Sequence, residues 1–388
     1  MTAPLRIGFI PLIDAAGLIV AVEKRFVRVE GLDVQLVREV SWSNVRDKLN
    51  IGLFDAAHSL APVPIASSLG IGHIKVPIVA PLTLSLNGNA VTVSPPLYAA
   101  IVHELDGDRL DPMATARALA RVVAARRRSG SAPLTFGMTF PFSAHNYLLR
   151  FWMAAGHVDP DEDVRLVVLP PPFMVDSMAS GQIDGFCVGA PWNSIAVDRG
   201  VGRMLHFGSD IVQRAAEKVL AVRQIWADKN PQALAALIRA IFRAAEFAEV
   251  PENRNEVAQI LARDEYIGVD AGVILRTLEG RLKVAPDGTS REDSRFMMLA
   301  REDASAPDPL QAAWLYAQMV RWKQTPMNRE GLKRAQAVFR PDLFEAALGG
   351  ANAQQTGSSA MGAFAGPVFA PETIEAYFAA LSAEPGSR

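Results

Sequence analysis

The chain has 388 residues, half of them hydrophobic and 21% charged, with a formal net charge of -2. That length can bury the core of two lobes, and the charge balance lacks the basic excess that nucleic-acid binding demands. A single cysteine, Cys187, excludes an intrachain disulfide, and its apolar neighbours Phe186 and Val188 make it a buried thiol rather than a nucleophile.

In chain order, residues 5–10 are a β-rich apolar run of buried-strand length. Asp14 precedes a helical pattern over 16–26, which Gly31 ends. A second strand over 32–37 follows, and Ser41 is positioned to cap the next helix, which Gly52 stops. Residues 55–58 lead into a third strand and 64–68 are helical. Strands are expected at 75–80 and 90–93, with 82–89 a loop or bent strand and Asn87-Gly88-Asn89 as turn chemistry. A helix over 112–128 ends in Arg126-Arg127-Arg128, a basic cap for its dipole. Helical character is expected at 210–217, then a short strand at 219–223 carrying the chain back to its first lobe. Further on, helices are expected at 231–247, 254–263, 309–324 and 328–339, and a surface loop at 351–366.

The first half of the chain is written twice. Leu5-Arg6-Ile7-Gly8-Phe9-Ile10-Pro11 returns as Leu134-Thr135-Phe136-Gly137-Met138-Thr139-Phe140-Pro141, and Asp33-Val34 as Asp163-Val164. Gly52, Asp55 and Ala61-Pro62 return as Gly181, Asp184 and Ala190-Pro191. A repeat of about 130 residues is far too long for a solenoid and implies two lobes of similar build. Strands alternating with helices make each lobe a doubly wound α/β sheet, with ligands at the carboxyl ends of the strands. The expected division is residues 1–92 for the first part of lobe one and 93–217 for lobe two. Residues 218–388 supply the return strand, the rest of lobe one and a helical region packed on it.

The loops at those strand ends collect Trp42, Asn87, Gly88, Asn89, His145, Gly189, Trp192 and Asn193. These are neutral donors and flat aromatic faces with few carboxylates. There is no nucleophile elbow, Walker loop, His-Glu-x-x-His or Cys-pair spacing, so neither catalysis nor a metal or other cofactor is expected. The residues suit a small polar anion. His145 falls at a helix N-terminus, where it either helps to hold an anion or caps the helix. Trp42 and Trp192 serve equally as core. Lys218, in Ala-Ala-Glu-Lys, reads first as a solvated residue, although its place before the return strand lets it reach the cleft.

Residues 38–50 around Ser41-Trp42-Ser43-Asn44, the run Leu86-Asn87-Gly88-Asn89-Ala90, residues 140–152 with His145, Val188-Gly189-Ala190-Pro191-Trp192-Asn193 and Glu217-Lys218-Val219-Leu220 together resemble one family. It is the nitrate- and bicarbonate-binding branch of the ABC-transporter substrate-binding proteins, with the type II periplasmic-binding-protein-like fold. The resemblance implies that Trp42, Asn87, His145, Gly189 and Lys218 hold the anion. It also implies that lysine at 218, where the bicarbonate carrier has glutamate, selects nitrate or nitrite. Asn87 is shorter than the glutamine of the transport proteins. Met1-Thr2-Ala3-Pro4 enters the first strand with no basic n-region, separate apolar h-region or cleavage site, and 7–22 is too broken by Pro11 and Asp14 to span a bilayer. A cytoplasmic location is therefore expected, without membrane insertion. That is similar to the NasS-type sensors, which hold a NasT-type ANTAR antiterminator and release it on binding nitrate or nitrite. The alternatives are the binding component of a nitrate transporter and, on the same scaffold, a biosynthetic enzyme.

Overall fold

The computed structural model describes residues 4–350 and 361–383, so most of the loop expected at 351–366 lies outside the described residues. The written repeat is a repeat of hydrogen-bonding register. Strand β1 (Leu5–Phe9) lies between β2 (Val34–Arg38) and β3 (Ala56–Leu60), parallel to both, with Arg6 opposite Gln35 and Ile7 opposite Ala56. In the second lobe β6 (Thr135–Met138) lies in the same way between β7 (Arg165–Val168) and β8 (Gly185–Gly189), with Thr135 opposite Arg165 and Phe136 opposite Gly185. The paired aspartates do the same work in both. Asp55 accepts from Arg6 N at 2.9 Å, and Asp184 from Thr135 N at 2.8 Å. Each locks the turn before the third strand onto the first.

The sheets are mixed rather than purely parallel, because the chain crosses between them. Strand β4 (Ile78–Asn87) ends at Gly88, and β5 (Asn89–Val93) already belongs to lobe two, antiparallel to β8 and β9 (Arg203–Phe207). Strand β10 (Ala216–Arg223) returns antiparallel between β3 and β4. Strand order is β13–β4–β10–β3–β1–β2 in lobe one, where β13 is Met297–Met298, and β7–β6–β8–β5–β9 in lobe two. A separate hairpin joins β11 (Arg281–Lys283) to β12 (Ser290–Glu292). The lobes thus divide at Gly88, whose φ of 90° favours a residue without a side chain.

At these crossings one expectation resolves and one differs. Of the two readings of 82–89, loop or bent strand, the strand holds: residues 82–87 are the buried end of β4, with register shifts in its pairing. The expected helix at 210–217 shrinks to Gly208–Ile211. Beyond it, Asn87 pulls the chain straight: its amide donates to Gln213 O at 2.9 Å and its oxygen accepts from Ala215 N at 3.0 Å. The helix Pro95–His103, capped by Ser94, was not foreseen.

The C-terminal region packs on lobe one as expected. Helix Pro231–Glu249 lays Leu237, Ile241 and Ala244 against Ile19 and Val20 of helix Ala16–Glu23 in one buried core. It also reaches lobe two. Tyr147 Oη donates to Gln324 Oε1 at 2.7 Å, and Gln324 donates to Pro141 O at 3.0 Å.

If the repeated aspartate is a local lock, Asp184→Ala should lower unfolding free energy by roughly 1–2 kcal/mol, the scale of one partly shielded charge-assisted hydrogen bond. Chemical denaturation measures this. A change within error would show the turn held by its other contacts.

Candidate functional site

The carboxyl ends of both sheets meet in a buried polar cluster. From lobe one come Asp14, at the start of the first helical turn, Trp42, in the first turn of helix Trp42–Asn50, and His58 on β3. Glu217 and Lys218 come from β10, and lobe two adds Asn89 on β5, His145 on helix Ala144–Ala155, and Gly189 at the end of β8. Asp14, His58, His145, Glu217 and Lys218 are all at most 1% exposed.

Lys218 is the centre. Its Nζ lies 2.9 Å from Asp14 Oδ2 and 2.7 Å from Glu217 Oε1, and 5.4 Å from the centre of the Trp42 ring. His145 Nε2 lies 2.8 Å from the same Glu217 oxygen, and Asn89 donates to Glu217 Oε2 at 2.7 Å. On the other side His58 Nε2 lies 2.9 Å from Asp14 Oδ1. The backbone N–H of Ile10 donates to His58 Nδ1 at 3.4 Å, so this ring carries its proton on Nε2 and is neutral. A Cβ on Gly189 would stand 3.3 Å from Asp14 Oδ2 and 3.5 Å from His145 Nε2, so a side chain there would crowd the Asp14 carboxylate.

Neighbouring residues on a strand normally face opposite ways, yet Glu217 and Lys218 both enter the cluster. The pairing of β10 with β4 shifts register between Ala216 and Lys218, and this bulge turns Glu217 inward.

Burial disfavours every charge here, and at Asp14, Glu217 and Lys218 the partners outweigh it. Burial raises the Asp14 carboxyl, but Lys218 and His58 bring it down to about 2. Burial raises Glu217 too, but His145 and Lys218 hold it below the ordinary glutamate range. Burial lowers Lys218, yet Asp14 and Glu217 hold its ammonium above the ordinary lysine value. Burial dominates at His58 and keeps its pKa low, in keeping with its neutral ring. The indole N–H of Trp42 is buried without a hydrogen-bond acceptor among the described residues, a donor left available beside the lysine.

Of the residues singled out in the sequence, Trp42, His145, Gly189 and Lys218 come together here. Asn87 does not: besides Gln213 and Ala215 it donates to Arg295 O at 2.9 Å, so its whole amide braces the crossing. The amide in the cluster is Asn89. Gly88 makes the turn between the two, and its carbonyl accepts from Ala190 N at 2.9 Å. Asn193 donates to Ala90 O and Thr92 Oγ1, both at 2.9 Å, and so supports β5 from behind. The Trp192 ring packs on apolar residues of lobe two. The alternative of His145 as a helix cap falls away, because Ser143 accepts from Asn146 N and fills that role; Ser41 does the same at its own helix, as expected. Asp14, His58 and Glu217 were missed as site residues. Asp14 was visible as a helix-start residue, and Glu217 as the partner of Lys218 in sequence.

The profile of the NMT1-like family matches residues 1–262. The nitrate/nitrite binding protein NrtA of Nostoc sp. is 32% identical over 394 residues, covering 98% of this chain and 86% of that protein. The chain belongs to this family of NrtA-type substrate-binding proteins. The crystal structure of the periplasmic nitrate-binding protein NrtA from Synechocystis superposes with a TM-score of 0.89 at 28% identity, over 97% of this chain and 98% of that one. The nitrate import ATP-binding protein NrtC of Synechocystis is 35% identical over 88% of this chain, which spans 49% of that protein, about half its length. The two lobes expected from the repeat, and the periplasmic-binding-protein-like fold that the resemblance implied, are therefore this family's fold. Among the described residues no helix is long and apolar enough to cross a membrane, and no cluster of metal-ligating side chains is present.

The cluster has a defined acid limit. An unfolded Asp14 takes up its proton near 3.8, the folded one only near 2, so its contribution is present above about 4 and is lost as pH falls towards 2. Lys218, His58 and the Gly189 backbone face it. Asp14→Asn should flatten the fall in stability across this window, measured as the change in denaturation midpoint between pH 4.5 and 2.5, values chosen to bracket the titration. An unchanged slope would remove Asp14 from the acid response. Lys218→Met leaves two buried carboxylates without their cation and should cost roughly 3–5 kcal/mol in the same assay.

Proposed function

We propose that this cleft binds nitrate or nitrite. The observation that carries the reading is the convergence of Lys218 Nζ and His145 Nε2 on a single carboxylate oxygen, at 2.7 and 2.8 Å, beneath Trp42 and between the lobes. Donors from two lobes that meet on one flat, singly charged, oxygen-edged group form a receptor for small planar oxyanions. The likeness to proteins named for nitrate and nitrite binding supports that choice of anion. Trp42, His145, Gly189 and Lys218 are the proposed contacts, with the Asn89 amide in the role that the resemblance implies for Asn87. We propose no catalysis: the cluster contains no activated nucleophile, and its acids and bases neutralise one another.

We further propose that the protein works as a cytoplasmic sensor. In that reading the unliganded form holds a NasT-type ANTAR antiterminator, and anion binding releases it. The resemblance to NasS-type sensors supports this. So does the tail, because Gln324 ties to lobe two at Tyr147 and Pro141, so closure about the crossings would alter a surface that both lobes share. The transport reading uses the same site, and delivery to a permease is the alternative that the relatives' names favour.

Calorimetric titration with nitrate, nitrite and bicarbonate is the test of the site. Nitrate or nitrite should bind and bicarbonate should bind more weakly; tightest binding of bicarbonate would overturn the assignment. His145→Ala should weaken nitrate by roughly 1.5–3 kcal/mol, the range for a hydrogen bond to a charged group. The sensor reading is tested by co-purification with a NasT-type protein and gel filtration. The complex should dissolve on adding nitrate, and by linkage the partner should weaken nitrate binding by the same factor. A complex indifferent to both anions would leave the transport reading.

A further inference from the structure

We infer that Glu217 is a tethered occupant of the anion site, and that an external oxyanion binds by displacing its carboxylate. This rests on the anion-binding reading above. A carboxylate and a nitrate or nitrite ion share one recognition edge, two coplanar oxygens bearing a single negative charge. In this structure that edge is supplied by the chain. Glu217 Oε1 takes Lys218 at 2.7 Å and His145 at 2.8 Å, and Oε2 takes Asn89 at 2.7 Å. Its side chain is wholly buried.

Charge balance supports displacement over simple addition. Asp14 already lies 2.9 Å from Lys218, so one carboxylate is enough to answer the lysine. Glu217 is a second, and the neutral His58 adds no positive charge. A monoanion entering beside both carboxylates would meet two like charges in a water-poor space. An anion that takes over the Glu217 donors leaves the count unchanged. The backbone is arranged for such an exchange, because Glu217 is the bulged residue of β10, where the ladder to β4 is already interrupted between Ala216 and Lys218. Its side chain can therefore swing away without unzipping the strand.

An internal competitor weakens apparent affinity by the fraction of time that the donors are free. It also makes the site selective, since a ligand must outcompete a carboxylate for donors spaced to fit one. The opposite role is that Glu217 positions His145 and holds its proton towards the ligand. The two roles predict opposite signs.

The experiment is a nitrate titration of wild type, Glu217→Asp and Glu217→Gln. The aspartate keeps the charge but is too short to span the three donors; the glutamine keeps the shape without the charge. With a freed site populated about 1–10% of the time in wild type, both variants should bind nitrate roughly tenfold tighter or more. Weaker or equal binding by variants that melt as wild type does would overturn the inference while leaving the anion site standing. Nitrate binding by a variant but not by wild type would support the inference in its strongest form. No binding of nitrate or nitrite by any of the three would overturn both. If neither variant folds, wild type decides alone. Its nitrate-minus-free infrared difference spectrum should show a carboxylate stretch changing environment, and a flat carboxylate region would overturn displacement.

Discussion

A lysine ammonium with no exposure to solvent is the constraint around which this molecule is organised. Lys218 loses its water on burial, and only close, well-ordered opposite charge can offset that loss. Asp14 from the first loop and Glu217 from the same strand provide it. Those carboxylates then need donors of their own. His58 answers Asp14, while Asn89 and His145 answer Glu217 from the opposite lobe. The need to satisfy one buried cation therefore becomes a set of bonds that join the lobes.

The crossings are built to hold that arrangement in register. Gly88 takes a backbone conformation with positive φ, and Asn87 before it does so too, at 58°. Asparagine tolerates that region better than most residues, and its amide gains three backbone partners there. Asn87 thus fastens the outgoing crossing to the returning one at Gln213 and Ala215. The two crossings are thereby held side by side at one level of the molecule.

Much of this was legible in the sequence, for a physical reason. The repeat could be read because the residues that recur are those that fix register. Asp55 and Asp184 bind the same backbone N–H of the first strand in each lobe, and Gly8 and Gly137 sit where a Cβ would press within 3 Å of Phe54 and Met174. Ser41 was readable because capping is a local rule. What was not legible depends on parity. In a turn a shift of two residues exchanges bracing for binding, and so Asn87 and Asn89 traded roles. On a strand, alternation sends Glu217 away from Lys218, and only a bulge brings it back. A bulge is set by the pairing partner, which the local sequence does not contain.

The same parity bears on how such a site tells anions apart. Lysine charge alone attracts nitrate and bicarbonate alike, since both are small flat monoanions. They differ in that bicarbonate carries a proton to donate and nitrate carries none. A cluster with carboxylate oxygens left open would therefore favour bicarbonate, whatever the lysine did. Here the carboxylate oxygens are largely spoken for: Asp14 by Lys218 and His58, Glu217 by Lys218, His145 and Asn89. Displacement of Glu217 hands its donors to the incoming anion, while Asp14 stays occupied. In that proposal the anion meets three donors, from Lys218, His145 and Asn89, which an ion without a proton can satisfy with its oxygens alone. On the proposed anion site, selectivity would rest on the partners of Asp14 as well as on Lys218, because His58 and Lys218 already engage the carboxylate that a bicarbonate hydroxyl would seek.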